Sequence, residues 1–433
     1  MKIIQLIPGS GDNFYCENCL RDNAVTAALR RAGHEVDILP LYLPPTTEGL
    51  DRPVESPIFF GGINAYLQQK SALFRRTPRW LDAALDARPL LRWAGKHAGM
   101  TSPRDLGEMT LSMLRGEDGR QAKELDRLVA FLAGRERPDV AVLSNALLAG
   151  LARRIVRELG VPVLCWLQDE DGFLDSLPEP YDAQSWRTLA DRAGDIAGFL
   201  GPTRYYADVM TRRLGLPPDR VHIVHNGIDV AGFAPSPARP DPPAIGFLAH
   251  MSRPKGLDLL AEAYIKLRER HPGLKLRMAG GKTGADDKYL VEVAQRLAEA
   301  GAGDGAEFVP GLERETRAEF LRSLSVLSVP TRGGEAFGLY VLESLAAGVP
   351  LVLPRHGSFP ELIEATGGGI LCEPNDADSL AAALDEVLSD PERAGALAAA
   401  GREAVRRDFA AERVAERFIA VCEQVAGERT RTT

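Results

Sequence analysis

Residues 329–354 read VPTRGGEAFGLYVLESLAAGVPLVLP, and this stretch decides the fold. An apolar run is followed by a glycine-rich turn, a helical pattern, a second turn and another apolar run. The spacing predicts strand, turn, helix, turn, strand. The helix is expected to start near Phe337 and Gly338 and to end at Ala347 and Gly348, where glycine suits a left-handed C-cap. Glu335 precedes the helix and Glu343 lies inside it, with seven residues between them. Free N–H groups and partial positive charge at the helix start suit a phosphate, and Gly333, Gly334 and Gly338 leave it room. A full helix between the two acids would span about 12 Å. One acid can therefore meet a sugar while the other meets the ribose of the same extended ligand.

Working outward, short apolar runs alternate with helical patterns along the chain. Strands are expected at 2–7, 36–41, 140–143, 163–167, 196–200 and 221–224. The second half repeats the rhythm at 244–248, 275–279, 307–309, 326–329, 351–353 and 370–372. Helices are expected at 18–32, 146–158 and 204–214. Apolar runs of this length between helices predict parallel sheets covered on both faces, hence α/β class with two doubly wound domains. Residues 233–243, FAPSPARPDPP, hold five prolines and cannot continue a helix or a central strand. The expected division is 1–235, 236–410 and a final amphipathic helix with its tail over 411–433. Residues 46–135 lack a convincing strand and read as a helical insertion in the first domain.

The bulk numbers narrow the function. A chain of 433 residues supports two or three domains. A net charge of −8 argues against non-specific nucleic-acid binding. No run approaches the ~18 apolar residues of a membrane span. MKIIQLIPG runs straight into a strand and a loop, and the five cysteines fit a reducing compartment, so a cytoplasmic protein is expected.

Three segments carry a resemblance. GGEAFGLYVLESLAAGVPLVLP resembles the E-x7-E signature of retaining GT-B glycosyltransferases of family 4. HNGIDVAGFAP (225–235) is similar to the family's NGID element. AHMSRPKGLDLLAEAY (249–264) is similar to its GRL-x-x-x-KG-x-D strand, loop and helix. The resemblance implies a GT-B fold, with two Rossmann-like domains facing across a cleft, and transfer of a sugar from a nucleotide-diphosphate sugar, UDP- or GDP-linked, to a hydroxyl-bearing acceptor. It implies no separate cofactor and no metal, and a final helix crossing back onto the first domain. Glu335 matches the acid that contacts the donor sugar, and Lys255 the lysine on its diphosphate. Glu343 matches the acid on the ribose, whose vicinal diol suits two carboxylate oxygens. Gly334, Phe337, Gly338 and Leu339 fall at the donor-facing helix start. His250 stands where the family has an arginine, and Arg253 is the candidate to supply that missing cation. Two other readings stay open: an epimerase or hydrolase on the same fold, and a non-catalytic nucleotide-sugar-binding protein.

The remaining features have two readings each. The loop Pro8-Gly9-Ser10-Gly11 follows the first strand. It is either a turn alone or, by the resemblance, a surface with Gly11 toward the donor and Ser10 toward the acceptor. Cys16 and Cys19 supply only two of the four ligands of a structural zinc, so a structural or acceptor-loop role is expected. Gln168 stands where family members often place a histidine, and with Asp169 it is an acceptor-side candidate. Asp169, Glu170 and Asp171 form either a polyol- or cation-binding cluster or a solvated loop. His34 reads as the residue between a helix and the next strand. Residues 70–96 hold seven Lys/Arg and two Asp, interleaved with Phe74, Trp80 and Trp93. They form either a surface for peripheral contact with an anionic membrane or an insertion with inward aromatics and solvated arginines.

Overall fold

A computed structural model describes residues 1–9, 17–46, 48–52, 54, 56–61, 68–69, 103–310 and 313–432. Ser10, Gly11, Cys16 and the basic stretch 70–96 lie outside these residues.

Among the described residues twelve strands form two six-stranded sheets, and every pairing between named strands is parallel. The first sheet contains β1 (Lys2–Ile7), β2 (Glu35–Pro40), β3 (Val140–Leu143), β4 (Val163–Trp166), β5 (Gly198–Gly201) and β6 (Val221–Ile223). Its spatial order is β2-β1-β3-β4-β5-β6. The second contains β7 (Ala244–Leu248), β8 (Lys275–Ala279), β9 (Ala306–Phe308), β10 (Val326–Leu327), β11 (Leu351–Pro354) and β12 (Gly369–Cys372), in the order β12-β11-β10-β7-β8-β9. In each sheet the chain winds one way and then reverses, between β1 and β3 and between β7 and β10. Ligands of open α/β sheets bind at such reversal points, beyond the carboxyl ends of the strands.

Seven helices position the site. They are α1 (Glu17–Arg31), α2 (Arg204–Leu214), α3 (Leu257–Leu267), α4 (Arg314–Arg322), α5 (Leu339–Ala346), α6 (Phe359–Thr366) and α7 (Ala411–Thr432). Gly348 has φ +75°, the left-handed conformation its place after α5 predicts. Residues 146–158, expected as one helix, divide into a 3-10 stretch, Ala146–Leu151, and an α-helix, Ala152–Leu159. Asn145 caps the 3-10 stretch by accepting from the Leu147 N–H.

Each sheet has its own buried apolar layers. The last helix, α7, belongs to the first sheet although it follows the second in sequence. Val414, Phe418, Cys422 and Val425 pack with Ile3, Val142, Trp166 and Leu200. The Phe418 ring stacks on Trp166 with centroids 5.9 Å apart, and the guanidinium of buried Arg21 lies 4.2 Å from the Trp166 ring. The chain therefore returns to where it began and ties the two halves together. Among the described residues no helix is long and apolar enough to cross a membrane.

Candidate functional site

The loops leaving β7 and β10 flank the reversal point of the second sheet, and they carry Lys255 and Glu335. Lys255 ends a short turn held by its own N–H on the Ser252 carbonyl. Gly256 follows with φ +76°, and a Cβ there would lie 1.9 Å from the Pro330 carbonyl oxygen. Only glycine lets the lysine loop pass this close to the Glu335 loop. The result is a tight pair: Lys255 Nζ lies 2.7 Å from both Glu335 oxygens. Glu335 is 4% exposed, and its carbonyl accepts from the Ser358 N–H at 3.0 Å.

Two carboxylates from the first half reach across to the same place. Asp169 Oδ1 accepts from the Ala336 N–H at 2.8 Å, and Glu17 Oε2 accepts from the Leu339 N–H, at the start of α5, at 2.6 Å. Asp169 follows β4 with φ +52°, a left-handed backbone uncommon for a residue other than glycine. Burial, with the Glu335 charge second, raises Glu17 to about 8 and Asp169 to about 7, against the pull of Lys255. Burial alone would lower Lys255. The surrounding Glu335, Glu17 and Asp169 outweigh it and hold the proton on the lysine.

Glu343 lies one turn further along α5, 2% exposed. Arg317 of α4 grips it with Nε at 3.1 Å and Nη2 at 2.9 Å. The same guanidinium reaches Glu48 of the first half at 2.6 and 3.1 Å. Leu20, Ile228, Asp229, Phe233, Arg314, Leu339 and these charged groups line a small cavity. Two further contacts join the halves. Glu361 of α6 accepts from the Arg204 and Tyr205 N–H groups at the start of α2, and the Thr203 hydroxyl donates to the Ala336 carbonyl.

The other expected residues divide. Gly338 (φ +81°) and Leu339 form the start of α5. Phe337 is buried, its ring 6.5 Å from Phe409. Gly334 leaves space for a side chain from the other half, because a Cβ there would meet the Tyr205 hydroxyl at 2.0 Å. Arg253 turns away from the lysine loop. It pairs with Glu292 at 2.5 Å and lies over the Tyr289 ring, so it supplies no cation beside Lys255. His250 is held by Asp286 at 3.0 Å. Gln168 faces inward and donates to the Ser144 carbonyl, so Asp169 and not Gln168 meets the cleft. The three consecutive acids diverge: Glu170 accepts from the Ala146 and Gln168 N–H groups, and the Tyr206 hydroxyl lies 3.0 Å from a carboxylate oxygen of both Glu170 and Asp171. Among the described residues no three ligand-type side chains are grouped to hold a metal ion. His34 follows α1 and meets the amino terminus at 3.2 Å.

Two facing doubly wound sheets, with a Lys–Glu pair and a helix start at the reversal point of the second, define a GT-B architecture. Residues 232–404 match the family model for glycosyl transferases group 1, and residues 112–231 match the adjoining model for Glycosyltransferase Family 4. The chain belongs to this family. It is 30% identical over 266 residues to D-inositol 3-phosphate glycosyltransferase of Streptomyces scabiei, covering 57% of this chain and 58% of the relative. It is 33% identical over 210 residues to phosphatidyl-myo-inositol mannosyltransferase of Mycolicibacterium smegmatis, covering 47% and 52%. The chain thus spans little more than half the length of these curated relatives. Sucrose-phosphate synthase of Thermosynechococcus elongatus shares the fold, with a TM-score of 0.71 at 18% identity over 99% of this chain and 100% of that one. HepE from Anabaena, solved with UDP, has a TM-score of 0.70 at 16% identity over 98% and 100%.

Proposed function

We propose that this protein is a retaining glycosyltransferase that moves a sugar from a nucleotide-diphosphate sugar, UDP- or GDP-linked, to a hydroxyl-bearing acceptor. The observation that carries the reading is the Lys255–Glu335 pair beside the start of α5. Departure of a nucleoside diphosphate places growing negative charge on phosphate oxygens. Lys255 and the N–H groups at the α5 start are fixed donors for that charge, so no metal is required of the donor site. Glu335 would hold sugar hydroxyls next to them, and Glu343 the ribose. Asp169, aimed into the cleft from the opposite half, would meet the acceptor or the far side of the sugar. No side chain stands out as a covalent nucleophile. Front-face departure and attack within one ion-pair-like site is the mechanism we assign.

The named activities of relatives guide the acceptor. Three act on inositol-bearing molecules by name, and one of them, 31% identical over 59% of its length, is named as GDP-mannose-dependent. Inositol and its phosphates are therefore the first acceptors to test, with UDP- and GDP-sugars as donors. A thermal-shift screen of UDP-, GDP- and ADP-sugars tests the donor half. A donor at 100 times its dissociation constant stabilises the protein by about 2.7 kcal/mol. No shift with any nucleotide sugar at millimolar concentration would overturn the reading.

A further inference from the structure

We propose that Glu17 is a built-in competitor of the donor's diphosphate, and that a nucleotide sugar binds by displacing its carboxylate from the start of α5. This rests on the donor site argued above and adds to it a residue from the opposite half of the chain.

The geometry is specific. Glu17 opens α1, beyond the carboxyl end of β1, and its Oε2 accepts from the Leu339 N–H at 2.6 Å. That N–H belongs to the first residue of α5, whose N-cap is Gly338 and carries no side chain to satisfy it. Helix α5 is thus capped in trans by the Glu17 carboxyl group, whose oxygen occupies the position a phosphate oxygen would take. One N–H cannot serve both at full strength.

Charge points the same way. The groups facing Glu17 are Glu335, Asp169 and Lys255. Three carboxylates share one ammonium, and a diphosphate adds two further negative charges to the same space. Burial first, and the Glu335 charge second, raise the titration of Glu17 to about 8. Moving Glu17 out removes one carboxylate and frees both the N–H and part of Lys255 for the incoming anion. The side chain has three rotatable bonds and stands in the first turn of α1, so it can withdraw while the helix stays in place.

Titration calorimetry of the full chain with UDP, GDP and ADP at pH 9, where Glu17 is ionised, tests this against Glu17→Ala and Glu17→Gln. A competing charge-assisted hydrogen bond corresponds to about a tenfold change in affinity or more. Glu17→Ala should therefore bind its preferred nucleoside diphosphate at least about tenfold more tightly than the parent. Glu17→Gln keeps the volume and an oxygen acceptor but loses the charge. It should bind more tightly than the parent by a smaller factor, and it carries the test if the alanine variant fails to fold. Equal or weaker binding by the variants, with the parent binding normally, overturns the proposal and leaves the donor site standing. If parent and variants alike bind no nucleoside diphosphate, the donor site and this inference fall together.

Discussion

Replacing Lys255 by methionine keeps the bulk of the side chain and removes its charge. Lys255 Nζ touches both oxygens of Glu335 at 2.7 Å, and the two side chains are 26% and 4% exposed. The variant leaves a nearly buried carboxylate beside Glu17 and Asp169 with no cation. Removing one partner of a buried pair costs about 3–5 kcal/mol. The partial exposure of the lysine places the loss toward the lower end, about 3 kcal/mol. Adding Glu335→Gln in the same chain removes the stranded charge and should restore most of that loss. Chemical denaturation of the parent, both single variants and the double variant gives the coupling energy directly. The ligand side has its own magnitude. Losing a charge-assisted hydrogen bond to phosphate weakens nucleoside diphosphate binding by about 1.5–3 kcal/mol, while the bare nucleoside should bind as before. A stability loss under about 1 kcal/mol, or a double variant as unstable as Lys255→Met, would show that the pair is solvated and not buried. Equal weakening of diphosphate and nucleoside would place Lys255 away from the phosphates.

Gly256→Ala forces a Cβ to within 1.9 Å of the Pro330 carbonyl at a left-handed backbone position. It should cost at least about 2 kcal/mol, read by denaturation, and weaken diphosphate binding with it. Arg317→Ala removes the guanidinium that pairs with both Glu343 and Glu48, so about 3–5 kcal/mol of stability should be lost; a loss below about 1 kcal/mol would refute the pairing. Glu17→Gln tests the acid cluster through pH. Burial raises Glu17 to about 8, so the folded chain holds that proton more tightly than the unfolded chain does. The contribution of Glu17 is most favourable below its unfolded value of about 4.3 and is lost as pH rises through 8. Glu17→Gln should therefore gain stability relative to the parent between pH 5 and 9, and parallel profiles would contradict the burial.

Both sheets were readable in the sequence because a strand buried on two faces announces itself locally. ILP and VLCW are apolar runs flanked by helical patterns, and all twelve expected strands appear within a few residues of their places. The Lys255 and Glu335 segments were readable for a different reason: glycine, proline and charge at fixed offsets encode one turn each. Contacts between distant segments were not readable. Arg317 lies 26 residues before Glu343 and 269 after Glu48, and nothing local marks it as their partner. Glu17 sat beside the conspicuous Cys16 and Cys19, yet its role depends on α5, 322 residues later. Arg253 shows the converse failure. Sequence proximity to Lys255 suggested a shared task, but the turn at 252–256 sends the two side chains in different directions, and Glu292 and Tyr289 hold the arginine outside.

The most direct test of the account is the anomeric configuration of the product. The donor that gives the largest thermal shift is incubated with an inositol or other polyol acceptor, and the glycoside is read by NMR for the parent and for Glu335→Gln. A new glycosidic bond with the donor's anomeric configuration is expected, with a loss of at least about a hundredfold in Glu335→Gln, on the scale of removing a positioned electrostatic contact. A product of inverted configuration, or transfer in Glu335→Gln within a few-fold of the parent, would contradict it.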